Sequence, residues 1–208
     1  PLGNARVLRP LPRRLTPDLA AMAGGIAAFL EASGLDPKHP ELVQTPRRVA
    51  RAWAREFLDG YRVSPAEAIG ETYPAPEGSQ GELVIVRNLR FRSMCPHHLL
   101  PYSGRAHLCY IPGKRVAGLG RLPVLLNCFA HRLILQEELA RQVARSLAKE
   151  LGSPGAACII EASQSCLRLR GSHQWDAVVL SEAYEGRLRK DKSLRRALWL
   201  RLRTGKSR

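Results

Sequence analysis

Apolar residues recur at three- and four-residue intervals through Leu19, Met22, Ile26, Phe29 and Leu30, the period of an amphipathic helix. Ahead of them, Thr16-Pro17-Asp18 reads as an N-cap, a proline at the first helical position and an acid in the first turn. Gly34 is placed to end this helix. The start signal repeats at Thr45-Pro46, and Val49, Trp53 and Phe57 continue at four-residue spacing toward Gly60. Both helices read as packing elements, with Arg47 and Arg48 where an anion meets a helix N-terminus.

The pattern then changes. Residues 62–81 hold Pro65, Pro74, Pro76, Gly78 and Gly81 and read as a connector. Residues 82–89 are β-branched and strand-like. Residues 105–110 alternate, with Ala106, Leu108 and Tyr110 on one face, as a returning strand does. From residue 123 to 151, Leu125, Leu126, Phe129, Leu133, Leu139, Val143 and Leu147 predict one long helix, stopped by Gly152-Ser153-Pro154-Gly155. Strands are expected at 157–163, 165–170 and 177–184, and a basic amphipathic helix at 193–203. This order predicts an α+β fold with an antiparallel sheet and no internal repeat. Residues 1–15 read as a flexible N-terminal arm, 16–61 as a helical region and 62–208 as the main domain.

Composition narrows the class. A chain of 208 residues with 45% apolar content is enough for one cored domain, and no apolar run approaches the ~18 residues of a membrane span. No signal peptide is read, and Pro1-Leu2-Gly3 reads as a cleavage scar. Five cysteines, an odd count without tight spacings, point away from a disulfide scaffold and toward a reducing cytoplasm. The net charge of +15 favours anionic partners. No aromatic residues interleave with the arginines as a nucleic-acid stacking surface needs, so nucleic acid is not the expected partner.

The chemistry concentrates in Arg92-Ser93-Met94-Cys95-Pro96-His97-His98-Leu99-Leu100-Pro101. Cys95 and His98 are three apart in a short segment closed by Pro101, and a thiolate with a neutral imidazole is a donor pair that zinc prefers. His97 then points elsewhere, free to donate a proton. Two ligands do not make a site, and a turn holding a buried thiol and two hydrogen-bonded histidines fits the same residues. Cys166, beside polar residues, is the best third donor; Cys109, Cys128 and Cys158 sit in apolar runs, where a plain buried thiol is the default. Three protein ligands would leave one position open, the arrangement of catalytic zinc.

Four motifs in order carry a resemblance: Ser93-Met94-Cys95-x-His97-His98-Leu99-x-Pro101, Gly118-Leu119-x-x-Leu122, Leu135-Gln136-Glu137-x-Leu139 and Cys166-x-x-x-Arg170-Gly171. With the Thr45-Pro46-x-Arg48-Val49-Ala50 helix start, they make the chain resemble GTP cyclohydrolase I from about Leu19 to Leu202. The resemblance implies a T-fold, an antiparallel sheet with long helices packed on one face, carrying an N-terminal helical extension. It also implies a toroidal homo-oligomer, usually a decamer, with active sites at subunit interfaces. Cys95, His98 and Cys166 match the zinc ligands, and His97 matches the histidine that protonates the purine imidazole ring as water attacks C8. Gln136 and Glu137 match the pair that reads the guanine edge, with Leu119, Gly120 and Leu135 in the surrounding substrate motifs. Arg48, Arg121 and Arg170 match positions that hold the triphosphate, Arg121 standing where the family has lysine.

The chain also departs from the pattern. The family's second catalytic histidine is Gln164 here, a serine is Gly120, a phosphate-contacting arginine is Val124, and the glutamate before the paired histidines is Pro96. The first two groups serve, in the family, the sugar rearrangement after ring opening. An amide does not titrate near neutrality, so Gln164 cannot replace a histidine as acid or base. The expectation is a divergent paralogue that opens the imidazole ring of a guanine nucleotide at C8. It stops at a formamidopyrimidine or 2,5-diamino-6-ribosylaminopyrimidinone nucleotide and serves a specialised pathway. Two alternatives stand beside it: complete turnover to 7,8-dihydroneopterin triphosphate and formate, and a non-catalytic zinc-holding protein that binds nucleotide or nucleic acid. The loss at Val124 leaves the number of substrate phosphates open, with Arg132 or Arg168 as possible substitutes.

Overall fold

Asp18, rather than Thr16, caps the first helix. Its carboxylate accepts from the backbone N–H groups of Ala20 and Ala21, both at 3.0 Å, and α1 runs Leu19–Ala32. The computed structural model describes residues 15–79 and 81–203. The arm expected at 1–15 lies, except for Leu15, outside the described residues. Of the α1 stripe only Leu30 is buried, and Phe29 is 67% exposed. The second helix, α2 (Thr45–Ala52), has Pro46 in its first turn but no side-chain cap, and passes into a π-helical turn at Trp53–Phe57 and a 3-10 turn at Asp59–Arg62.

The expected connector contains structure. Ser64 and Glu67 form a capping box that starts α3 (Pro65–Ile69). A short strand, β1 (Thr72–Pro74), pairs with a later one at Arg115–Ala117.

Four antiparallel strands make the main sheet. They are β2 (Val84–Met94), β3 (Pro101–Tyr110), β5 (Gly155–Gln164) and β6 (Val179–Glu185), lying in the order β2-β3-β5-β6; Arg115–Ala117 is β4. Both main hairpin strands are longer than the hydropathy pattern predicts. On one face lie α4 (Arg121–Ala130) and α5 (Gln136–Glu150), whose Leu122, Leu125, Leu139, Val143 and Leu147 pack with Leu108 and Ile160 in the main core. The other face is covered by α7 (Gly186–Lys190) and α8 (Lys192–Arg203), through Leu188 and Leu198 on Ile111 and Ile159. The fold is α+β, as expected.

Two further expectations fail. The long helix over 123–151 is two helices separated by an extended segment. Arg132 causes the break: its guanidinium donates to the carbonyls of Gly60 (2.9 and 3.2 Å), Cys128 (2.6 Å) and Val63 (3.3 Å) and stacks over the rings of Tyr61 and Phe129. Leu133 then bridges to Met94, and Ile134 N–H donates to the Met94 carbonyl at 3.2 Å. These long-range bonds outweigh a continuous helical stripe. The strand expected at 165–170 is instead a single helical turn, α6 (Ser165–Arg168).

Candidate functional site

The β2–β3 hairpin fixes the first two donors. Its loop is closed twice, by Cys95 N–H on the Leu100 carbonyl and by Leu99 N–H on the Cys95 carbonyl, each at 2.9 Å. Leu99 takes a left-handed φ of 54°, which turns the chain back into β3. This turn sets Cys95 Sγ 3.8 Å from His98 Nδ1. The His97 ring stands at 90° to that of His98, with the ring centroids 6.2 Å apart.

The third donor arrives through the sheet. In the β3–β5 pairing Tyr102 lies opposite Gln164. Gly104 makes the approach possible, since a Cβ there would sit 1.9 Å from the Glu161 carbonyl oxygen. Two residues past Gln164, Cys166 meets the hairpin turn. Donor atoms of Cys95, His98 and Cys166 lie within 4.8 Å of one another. A tetrahedral zinc with bonds of about 2.3 Å to sulfur and 2.0 Å to nitrogen spans such S···N separations, at about 3.6 Å. The donor set and its spacing fit zinc.

These residues line a cleft of about 230 Å³ together with His97, Leu135, Glu137 and Gln164. Breaking the helix at 131–135 puts Gln136 and Glu137 in the first turn of α5, at the cleft, rather than mid-helix on a solvated face. Gln136 is 3% exposed, and its amide nitrogen donates to the carbonyls of Ile160 (3.2 Å) and Val179 (2.8 Å). Gln164 donates in turn to Gln136 Oε1 at 2.7 Å. Glu137 is exposed at the rim.

Tyr102 was not singled out by sequence reading, although its place directly after Pro101 marks the mouth of the hairpin. Its hydroxyl donates to the Ile134 carbonyl at 3.0 Å and so ties β3 to the segment that carries Leu135, Gln136 and Glu137. Burial pushes its phenol well above the ordinary tyrosine range, so it holds its proton at neutral pH.

The remaining expected residues lie outside this cleft in the same chain. Arg48 is on α2, and Leu119 and Gly120 precede α4, with Leu119 64% exposed. Arg121 donates to the carbonyls of Ile69 (3.1 Å) and Glu67 (2.6 Å). Arg170 is exposed in the segment after α6. Arg132 is spent on backbone carbonyls, as described. Arg168 donates to Ser163 Oγ at 3.1 Å and lies over the Trp175 ring, while its buried Nε has no partner among the described residues.

A model of the family described as GTP cyclohydrolase I matches residues 22–203. The chain belongs to the GTP cyclohydrolase I family. It is 38% identical over 194 residues to "GTP cyclohydrolase 1" of Chromobacterium violaceum, a match spanning 92% of each chain. It is 40% identical over 169 residues to the protein of that name from Leifsonia xyli, covering 81% of this chain and 87% of the relative. The corresponding protein of Deinococcus radiodurans is 39% identical over 163 residues, with 78% and 74% covered. Relatives so named are hydrolases that act on GTP. Among the described residues, no helix is long and apolar enough to cross a membrane.

Proposed function

We propose that this member of the family opens the imidazole ring of a guanine nucleotide at C8 and releases a ring-opened pyrimidine nucleotide instead of a pterin. The observation that carries the reading is Gln164, an amide committed to Gln136 at the cleft position where the family motif has a histidine. Cys95, His98 and Cys166 would hold zinc, and the ion when bound supplies a water acidic enough to act near neutral pH. His97, projecting from the same turn, gives its proton to N7 as the water oxygen bonds to C8. The C8–N9 bond then breaks, N9 takes a proton, and C8 stays on N7 as a formamide. A second hydrolysis would release it as formate. Glu137 at the rim accepts from the N1–H and amino group of the guanine.

The later rearrangement of the sugar needs a group that gives and takes protons near neutrality. With three donors assigned to the metal, His97 assigned to N7 and Tyr102 held protonated, the cleft offers none at Gln164. Arg48, Arg121 and Arg170 are proposed to hold the phosphates, with Leu119, Gly120 and Leu135 bounding the substrate.

In a head-to-tail ring, Arg48, Leu119, Gly120 and Arg121 would reach a neighbouring subunit's cleft. Opposite charges on the two edge strands support such a ring: β2 carries Arg90 and β6 carries Glu182, while Arg92 and Glu185 pair within the chain with Glu56 and Arg145. A toroidal homo-oligomer, with 16–61 as a helical extension and 62–208 as the T-fold catalytic domain, is the proposed assembly. Free thiols at all five cysteines fit a reducing cytoplasm.

The experiment is turnover of GTP, GDP and GMP by the zinc-loaded protein, followed by mass spectrometry. A nucleotide with the mass of substrate plus one water, or its deformylated form, supports the reading. The most rapidly consumed substrate reports the phosphates that are held despite Val124.

A further inference from the structure

The hydrogen bonds around Gln136 dictate which way the neighbouring amide faces. The two carbonyls of Ile160 and Val179 can only accept, so Gln136 must turn its nitrogen to them and its oxygen toward Gln164. Gln164 must then answer with its own nitrogen, at 2.7 Å. That leaves Gln164 Oε1 without a protein partner among the described residues, on a side chain that lines the cleft two residues from Cys166. The backbone of β5 and β6 therefore fixes, through two linked amides, a hydrogen-bond acceptor beside the reacting end of the cleft.

An acceptor there discriminates between two states of the ligand. In an intact purine nucleotide N9 carries the sugar and no hydrogen. Once C8–N9 is broken, N9 becomes an N–H donor at the end of the bond that the added water has opened. We infer that Gln164 is a specificity-determining residue that accepts this new N–H and so holds the ring-opened nucleotide in preference to the intact purine. The inference rests on the C8–N9 opening proposed above.

The test is a pair of affinities measured by calorimetry on the zinc-loaded protein. One probe is 7-deazaguanosine triphosphate, which keeps an intact five-membered ring and lacks N7. The other is 2,5-diamino-6-ribosylaminopyrimidinone triphosphate, handled without oxygen. Wild-type protein should prefer the ring-opened probe. Gln164→Met keeps the side-chain length and removes the acceptor; it should weaken the ring-opened probe about tenfold, one hydrogen bond's worth, and leave the intact probe within about twofold. The ratio of two affinities in one preparation is insensitive to an unfolded fraction. An unchanged ratio in Gln164→Met, or no preference in the wild type, would overturn the inference. Pterin formation from GTP would instead sink the early stop, and the affinity ratio would still decide the role of Gln164.

Discussion

Gln164 Nε2 donates to Gln136 Oε1 at 2.7 Å, and Gln136 passes both of its own N–H bonds to main-chain carbonyls of Ile160 and Val179. A residue in the position of a family catalytic group is thus built into the sheet. Gln136, matched to the reading of the guanine edge, has every hydrogen of its amide already used. On the proposed reading, base recognition from the first turn of α5 falls on Glu137.

If the amide at 164 is what stops the reaction, an imidazole there should restart it. Gln164→His combined with Gly120→Ser returns a titratable group and a hydroxyl to the positions the family pattern gives them. The double variant should form pterin from GTP at least about 100-fold faster than the parent, the usual worth of a positioned acid–base group. Fluorescence after oxidation reads it directly. Ring opening that continues with no rise in pterin would show that other departures, such as Pro96 or Val124, impose the stop.

Zinc content tests the ligand set without reference to turnover. Cys166→Ser should lower zinc affinity by more than about 100-fold, since even the loss of a ligand's hydrogen-bonding support costs 10- to 100-fold. Metal analysis after dialysis should fall from about one ion per chain toward none, with the circular dichroism unchanged because Cys166 is only half-buried. Alkylation should report the same residue: after chelation Cys166 labels quickly, whereas Cys109, whose thiol burial pushes up to about 12, and fully buried Cys158 stay inert. Zinc that survives Cys166→Ser would exclude the residue as a ligand.

The β3–β5 pairing is what brings Cys166 to the hairpin. In Gly104→Ala the new methyl would meet the Glu161 carbonyl at 1.9 Å, and neither backbone can yield without breaking register. A loss of about 3 kcal/mol or more is expected, read as a lower denaturant midpoint, with zinc binding weakened in the same variant. Wild-type stability would contradict the assigned register.

His107 gives the fold a pH dependence. Burial chiefly, with help from Arg87 and Arg105 against the opposing pull of Glu161, lowers its pKa from the ordinary value of about 6.5. The folded state thus favours the neutral ring, whose Nδ1 accepts from Asn88 N–H at the β2 bulge. Above pH 6.5 the full contribution is present. As pH falls through about 6.5 the unfolded chain binds the proton first, and stability declines until the folded pKa is passed. Urea midpoints should therefore drop between about pH 7.5 and 5, and less steeply in His107→Gln. Parallel profiles for the two proteins would contradict this.

Much of the layout was legible in the sequence, for local reasons. The α1 stripe, the alternation of β3 and the basic C-terminal helix depend on periodicity, and the Cys95–His98 spacing is contained within one turn. The break at 131–135 was not legible, because Arg132 reaches carbonyls near residue 60, a contact that no window of local pattern includes. That one miss hid the position of Gln136 and Glu137 at a helix start. The capping box at Ser64 and Glu67 was readable from spacing alone, and Pro65 obscured it by suggesting only a connector. The direction of the Gln164 amide follows from the β5 and β6 carbonyls, which sequence does not display.

The most direct measurement is a time course of zinc-loaded protein with GTP, in which mass spectrometry and oxidised-pterin fluorescence are followed in the same samples. GTP should disappear as a formamidopyrimidine or diaminopyrimidinone nucleotide accumulates, with fluorescence at background. Fluorescent neopterin rising in step with GTP consumption would contradict the account.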